Sequence, residues 1–278
     1  MIKPGCLIIG LYNKNSYRII NLIGRGNIGE VYKIEDENGN IKALKISRDL
    51  ISITKEYKVL SKLKYEKFIP NVFDLDDTIL YNTIYHYIVI EYIEGKNLSY
   101  YIKHKINFHQ IIFIANFLCD FLMYLSNKNL YYTDLKPENI ILQKESCYIV
   151  DFGSVIESGE SIKEFTPAYD RASWGMGKRA IDSGYMVFQI AMIMANLLLG
   201  KVYEPHKLSI NYIRKEIKIK FPNSYYAIFK GLNGDYTIAQ FKRDLLFKEN
   251  FIFQQRLNYA MIISGLIFLI LLNIALRG

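Results

Sequence analysis

The segment Gly24-Arg25-Gly26-Asn27-Ile28-Gly29-Glu30-Val31 constrains the fold of this chain more than any other stretch. Three glycines spaced G-x-G-x-x-G let consecutive backbone N–H groups approach an anion without interference from Cβ atoms. In dinucleotide-binding folds the same spacing opens a helix. Here the flanks decide against a helix. Tyr17–Ile23 alternates loosely as a strand into the loop, and Glu30–Ile34 continues out of it as a second strand. Asn38-Gly39 follows, a pair that accepts positive φ at both positions and so marks a tight hairpin, and Ile41–Ile46 supplies the returning strand. The pattern predicts a strand–loop–strand lid over a phosphate at the start of a β-rich lobe.

The rest of the chain changes period. Ser52–Leu63 places Ile53, Tyr57, Leu60 and Leu63 along one helical face, and Tyr87–Tyr92 is a dense β run. Beyond it helices dominate. Phe108–Leu125 and Gly184–Leu199 are apolar enough to be buried, the second as the central helix of a larger lobe. With 278 residues, 51% of them hydrophobic, the chain can build a two-lobed core and is not disordered. The expected class is α+β, with a small β-rich lobe followed by a mainly helical one.

Ala43-Leu44-Lys45, Asp134-Leu135-Lys136-Pro137-Glu138-Asn139 and Asp151-Phe152-Gly153 follow the glycine loop in order. Together the four segments resemble the signature set of the eukaryotic-like (Hanks-type) Ser/Thr protein kinases, over about Tyr17 to Phe247. The resemblance implies a bilobal kinase fold: an N-terminal extension over 1–16, an N-lobe and hinge over 17–94, and a C-lobe over 95–250. It implies ATP and Mg²⁺ as cofactors and protein Ser/Thr hydroxyls as substrates. Gly24, Gly26 and Gly29 would cover the phosphates, and Lys45 would grip them while paired with Glu56, a better placed partner than Glu66. Val31 and Ala43 would sandwich the adenine, Ile90 would back its pocket, and the backbone at Glu91 and Ile93 would bond it. Asp134 would act as catalytic base, Lys136 would neutralise charge on the transferring group, and Asn139 and Asp151 would hold the metal. Thr166, in Thr166-Pro167-Ala168-Tyr169, would close the activation segment beside Asp134 and Lys136. Tyr148-Ile149-Val150 reads as the short strand presenting Asp151.

Some positions depart from the family pattern. Tyr132-Thr133 stands where His-Arg is usual. Tyr132 can fill the same stacking position, but Thr133 cannot pair with a phosphorylated activation loop. Phosphorylation at Ser158, Ser161 or Thr166 is therefore not expected to switch activity by that route. Ser173 stands in place of a glutamate, and Asp235 in place of its arginine partner. Asp182 is the candidate for the buried aspartate that anchors the catalytic loop. These departures keep a pseudokinase, a binding or scaffold module with the same fold, as the alternative function. A small-molecule kinase of related fold is opposed by Lys136-Pro137-Glu138.

The run 257–276 has no charged residue and is bracketed by Arg256 and Arg277. As a helix at ~1.5 Å per residue it spans ~30 Å, one hydrocarbon core. Lys242, Arg243, Lys248 and Arg256 precede it, so the positive-inside bias places the catalytic domain in the cytoplasm of a single-pass, tail-anchored membrane protein. The net charge of +8 is read as a lysine-rich solvated surface, and no motif points to nucleic acid. Cys6, Cys119 and Cys147 form no CxxC pair, which fits a reducing cytosol and argues against a disulfide framework or a zinc site. The abundance of Ile, Lys, Asn and Tyr is the usage of an AT-rich, low-GC bacterial genome.

Overall fold

The computed structural model describes residues 1–26, 28–63, 67–144, 146–222, 225–245, 259, 261–265 and 267. Glu66 and most of the run 257–276 lie outside the described residues. Those of the run that are described, 259, 261–265 and 267, are helical and exposed.

The chain opens with β1 (Leu7–Ile9), β2 (Ser16–Arg25), β3 (Glu30–Asp36) and β4 (Ile41–Ser47), then α1 (Leu50–Lys62), β5 (Val72–Leu80) and β6 (Thr83–Glu91). The strands form one antiparallel sheet in the order β1-β2-β3-β4-β6-β5. The chain leaving β1 then meets the opposite edge. Leu11 N–H donates to Asp77 O at 2.8 Å, and the Tyr12 and Asn13 N–H groups donate to the Asp76 carboxylate. Contact between the two edges wraps the sheet around its own core of Ile2, Ile8, Tyr17, Ile34, Leu44 and Val89, among others. Residues 1–15 thus pack as part of this lobe.

Asp49 caps α1 by accepting from the N–H groups of Ile51 and Ser52. The helix buries Ile53, Glu56, Val59 and Leu60, so Glu56 is a carboxylate on an otherwise apolar face. That placement sets up the site below.

After β6 come β7 (Lys96–Asn97), α2 (Leu98–Lys103), α3 (Phe108–Asn127), β8 (Leu130–Tyr132), β9 (Ile140–Gln143), β10 (Ser146–Ile149), β11 (Val155–Glu157), α4 (Ser183–Leu199), α5 (Ile210–Lys220) and α6 (Tyr225–Asn233). β9 and β10 form a hairpin that β7 extends, and β8 pairs with β11. Among the described residues α3 is the one helix long and apolar enough to cross a membrane by length and composition, but its inner face is core. α4 is buried along almost its whole length and forms the centre of this lobe. Phe68, Phe121, Tyr132 and Phe152 meet edge to face and carry one continuous core from α1 into the helical lobe. Cys119 and Cys147 are buried within it, and burial pushes both thiols up to about 12.

Candidate active site

The site lies where the sheet meets the helical lobe, and Lys45 ties the two. Its Nζ is 2.6 Å from Glu56 Oε2 on α1 and 2.6 Å from Asp151 Oδ1 beyond β10. Burial opposes the ammonium charge, but the Glu56 and Asp151 carboxylates outweigh it and hold the Lys45 pKa above its ordinary value. Glu56 is only 1% exposed, and burial pulls its carboxyl upward against the pull of Lys45. Its other oxygen accepts from Phe152 N–H at 3.0 Å, and the neighbouring Lys55 donates to Gly153 O at 2.8 Å. α1 is thereby latched to the Asp151-Phe152-Gly153 turn by two side-chain contacts of its own, with Lys45 bridging Glu56 to Asp151 beside them.

Asp151 has φ 67 and ψ 79, the left-handed region that a non-glycine residue adopts at a cost of about 1–3 kcal/mol. The strain turns its carboxylate toward Lys45 while leaving the side chain 46% exposed. Burial raises its pKa, but Lys45 overrides this and holds Asp151 below the usual carboxylate range. Asp151 therefore faces the cleft as an anion with an accessible oxygen.

Opposite it, the loop after β8 carries Asp134, Lys136 and Asn139. Lys136 Nζ donates to Asp134 Oδ2 and lies 3.4 Å from Thr166 Oγ1. Asp134 Oδ1 is buried and, among the described residues, has no hydrogen-bond partner. Such an acceptor is costly unless something fills it. Asn139 is buried in the 3-10 turn Pro137–Asn139, and its Nδ2 donates to Asp134 O at 3.3 Å and Tyr132 Oη at 3.2 Å.

The lid is the turn between β2 and β3. Gly26 N–H donates to Gly29 O, and Arg25 pairs with Glu30 across the base at 2.6 Å. A Cβ at Gly29 would fall 2.3 Å from Ile46 O, so that glycine is demanded by the protein itself. Gly24 and Gly26 are different. Neither has positive φ, a Cβ at Gly24 would meet only Val31 at ordinary contact distance, and one at Gly26 would meet nothing within 4 Å. The space their side chains would fill is open to a ligand. Beneath the lid Ala43 is paired across the sheet with Ile90, and Val31 with Lys45. Ala43, Ile90 and Ile93 are buried, and Val31 packs against the same core. Glu91 N–H is bonded to Asn71 O, and the Glu91 carboxylate to the Asn71 amide.

One reading of the sequence is corrected here. Asp182 is not the anchor of the catalytic loop. It caps α4 by accepting from Tyr185 N–H, and both its oxygens bind Arg171. Its position one residue before the helix keeps it outside the core. The loop is held from deeper in α4, where Gln189 Nε2 donates to Thr133 O at 2.9 Å. The absent glutamate at Ser173 leaves no hole, because Asp170, fully buried, binds Arg179 at 2.7 Å and accepts from both the N–H and hydroxyl of Ser173. Tyr185 donates to Asp170 as well. Sequence reasoning missed Gln189, Asp170 and Arg179. The signal for Gln189 was its polarity inside the otherwise apolar stretch 184–199.

Comparison with known proteins agrees with this geometry. The protein kinase domain family model matches residues 17–245. Serine/threonine-protein kinase YabT of Bacillus subtilis (strain 168) is 35% identical over 256 residues, covering 88% of this chain and 75% of the relative. Cyclin-dependent kinase 1 of Encephalitozoon cuniculi (strain GB-M1) is 25% identical over 224 residues, 73% of this chain and 74% of the relative. CBL-interacting serine/threonine-protein kinase 21 of Arabidopsis thaliana is 28% identical over 217 residues, 74% of this chain and 52% of the relative. With the kinase domain model matched over residues 17–245 and a serine/threonine-protein kinase 35% identical across 88% of the chain, this chain belongs to the protein kinase family and is a protein serine/threonine kinase.

Proposed function

We propose that this kinase transfers the γ-phosphoryl group of Mg-ATP to Ser/Thr hydroxyls of protein substrates, from a catalytic domain tethered to the cytoplasmic face of the cell membrane by the run 257–276. The observation that carries the transfer reading is the Lys45 bridge, two 2.6 Å contacts joining residues 45, 56 and 151, together with the buried oxygen of Asp134 that has no hydrogen-bond partner among the described residues.

Lys45, fixed by Glu56, grips the α- and β-phosphates beneath Gly24, Gly26 and Gly29. Val31 and Ala43 enclose the adenine, Ile90 backs it, and the backbone at Glu91 and Ile93 bonds its edge. Asp134 Oδ1 receives the substrate hydroxyl proton as the substrate oxygen bonds to phosphorus and the bond to the ADP oxygen breaks. Lys136, held by Asp134 Oδ2 and Thr166, offsets the charge on the moving group.

Asn139 and Asp151 offer hard oxygen donors of the kind Mg²⁺ takes. When bound, the ion screens the phosphates and stabilises charge on the leaving group. The membrane reading is supported by the uncharged run, its flanking arginines and the exposure of Met261, Ile262, Ile263 and Ile267.

The test is transfer from γ-labelled ATP to a generic protein substrate and to the kinase itself, with phosphoamino-acid analysis. The wild type is expected to label Ser and Thr, while Asp134→Asn and Asp151→Asn lose at least about 100-fold. Undiminished transfer by either variant overturns the assignment.

A further inference from the structure

Ser47 ends β4 on the face that carries Ala43 and Lys45, two residues beyond the lysine. It is 4% exposed, and its hydroxyl joins two other parts of the lobe. Oγ donates to Ile28 O in the lid and accepts from Asp49 N–H at 3.0 Å. Asp49 is the residue that caps α1. A hydroxyl has one proton to give and lone pairs to receive, so both bonds are made at once. The bond to Asp49 is a local turn contact of a kind serine often makes. The bond to Ile28 spans 19 residues and needs its own account.

The regular pairing of β3 with β4 ends at Glu30 opposite Ile46. Just beyond it Gly29 lies so close to β4 that a Cβ there would fall 2.3 Å from Ile46 O and 3.1 Å from Ser47 Cβ. The Ser47 hydroxyl adds one more bond past the end of that pairing and holds the Ile28 carbonyl against the strand. A trans peptide keeps its C=O and N–H on opposite sides. With the Ile28 oxygen held, the group this peptide presents on its other side is the Gly29 N–H, a donor for an anion. An Ile28 carbonyl released from Ser47 could turn its oxygen toward the phosphates, an acceptor against an anion. We infer that Ser47 is a positioning residue for the nucleotide phosphates, its hydroxyl setting the peptide between Ile28 and Gly29 and tying the lid to the start of α1, the helix that carries Glu56. The inference rests on the phosphate role proposed above for Gly24, Gly26 and Gly29.

The test is calorimetric titration of the full-length protein with two ligands, a non-hydrolysable ATP analogue with Mg²⁺ and adenosine, which lacks phosphates. Ser47→Ala and Ser47→Val are expected to weaken the ATP analogue by at least about fivefold, the scale of one hydrogen bond, with adenosine affinity within about twofold of the wild type. Ser47→Thr keeps the hydroxyl, and the cavity of about 430 Å³ bordered by Ile28, Gly29 and Ser47 has room for its methyl group. It is expected to bind both ligands within about twofold of the wild type, while valine, of the same shape without the hydroxyl, does not.

Unchanged affinity for the ATP analogue in the alanine and valine variants overturns the inference. Equal weakening of both ligands overturns it as well, since it would make Ser47 a support of the lobe rather than of the phosphate site. So does a threonine variant as weak as the valine one, or failure of both the alanine and valine variants to fold. If the wild type binds the ATP analogue no more tightly than adenosine, the phosphate role of the glycine loop fails and takes this inference with it, a result visible before any variant is compared.

Discussion

Gln189 Nε2, from the middle of α4, donates at 2.9 Å to the carbonyl oxygen of Thr133, the residue before Asp134. It is the link by which the helical core sets the height of the catalytic loop. Tyr185 Oη lies 3.4 Å from the same carbonyl but gives its one proton to Asp170. Replacing Gln189 with Leu fills the volume but strands a buried acceptor, at about 1–3 kcal/mol. The expected outcome is a thermal midpoint lowered by several degrees and a kcat lowered at least about 10-fold, with KM for ATP nearly unchanged because α4 lies away from the sheet lobe. Equal losses in both constants would place Gln189 elsewhere in the mechanism.

Lys45 separates stability from activity. Lys45→Met leaves Glu56 buried beside Asp151 without a counter-charge, a loss of about 3–5 kcal/mol for a broken buried pair. Adding Glu56→Leu removes the stranded carboxylate. Denaturant midpoints are expected to recover much of the loss in the double variant. Phosphoryl transfer is expected to stay down by at least about 100-fold in both. Recovery of transfer with stability would show that Lys45 only holds the fold.

The glycine loop, Lys45 and the Asp134–Asn139 segment were legible because each is a short run of residue types forced by its chemistry. Elements were legible where period alone decides them, as in β2 to β4 and in α4. The failures share a physical cause. Which polar residue of 182–189 reaches Thr133 depends on the height of α4 against a loop some fifty residues earlier, and no local pattern records that height. The closure of the sheet by Leu11 and Asp77 depends likewise on accumulated twist. The Asp170–Arg179 pair was hidden because a glutamate was sought at 173, whereas the carboxylate stands three residues earlier and takes Ser173 as a donor.

Thr133 replaces an arginine and sets a different kind of activation segment. Its hydroxyl lies 2.8 Å from Ser154 O and 3.3 Å from Glu164 O, joining both ends of the segment with neutral contacts. Ser158 and Ser161 are exposed, and the residue before Asp134 presents no cation to a phosphate. Alanine at Ser158 and Ser161 is expected to leave turnover within about threefold. Thr133→Val is expected to lower kcat more than both together, since it loosens the segment that carries Thr166. A loss above about 100-fold from either serine would contradict this.

Asp170 gives a pH signature. Burial raises its pKa, but the bonds from Arg179 and Ser173 win and hold it below the usual carboxylate range. Its folded-state pKa lies below the unfolded value of about 3.9, so its contribution is complete above that pH and drains away as pH falls toward the folded value. Arg179→Ala is expected to cost about 3 kcal/mol at neutral pH. The gap between variant and wild type should narrow as pH drops below about 4 in denaturant titrations. A gap that is constant with pH would mean that Arg179 acts through its contact with Phe165 instead.

The C-terminal run has a test that keeps location and catalysis apart. It follows Lys242 and Arg243, and Lys242 pairs with Asp120 on α3, so the chain at 242 is still held by the helical lobe. Of the run's described residues, Met261, Ile262 and Ile263 are more than half exposed and belong to neither core. As a helix the run would span ~30 Å with Asn258, Ser264 and Asn273 as its few polar residues, a composition suited to hydrocarbon rather than to water. Deleting residues 257–278 is expected to move the kinase from the membrane pellet to the supernatant while kcat/KM stays within about twofold. A truncated chain that aggregates and no longer binds ATP would assign the run to the core. A full-length chain that already fractionates with the supernatant would remove the anchor altogether.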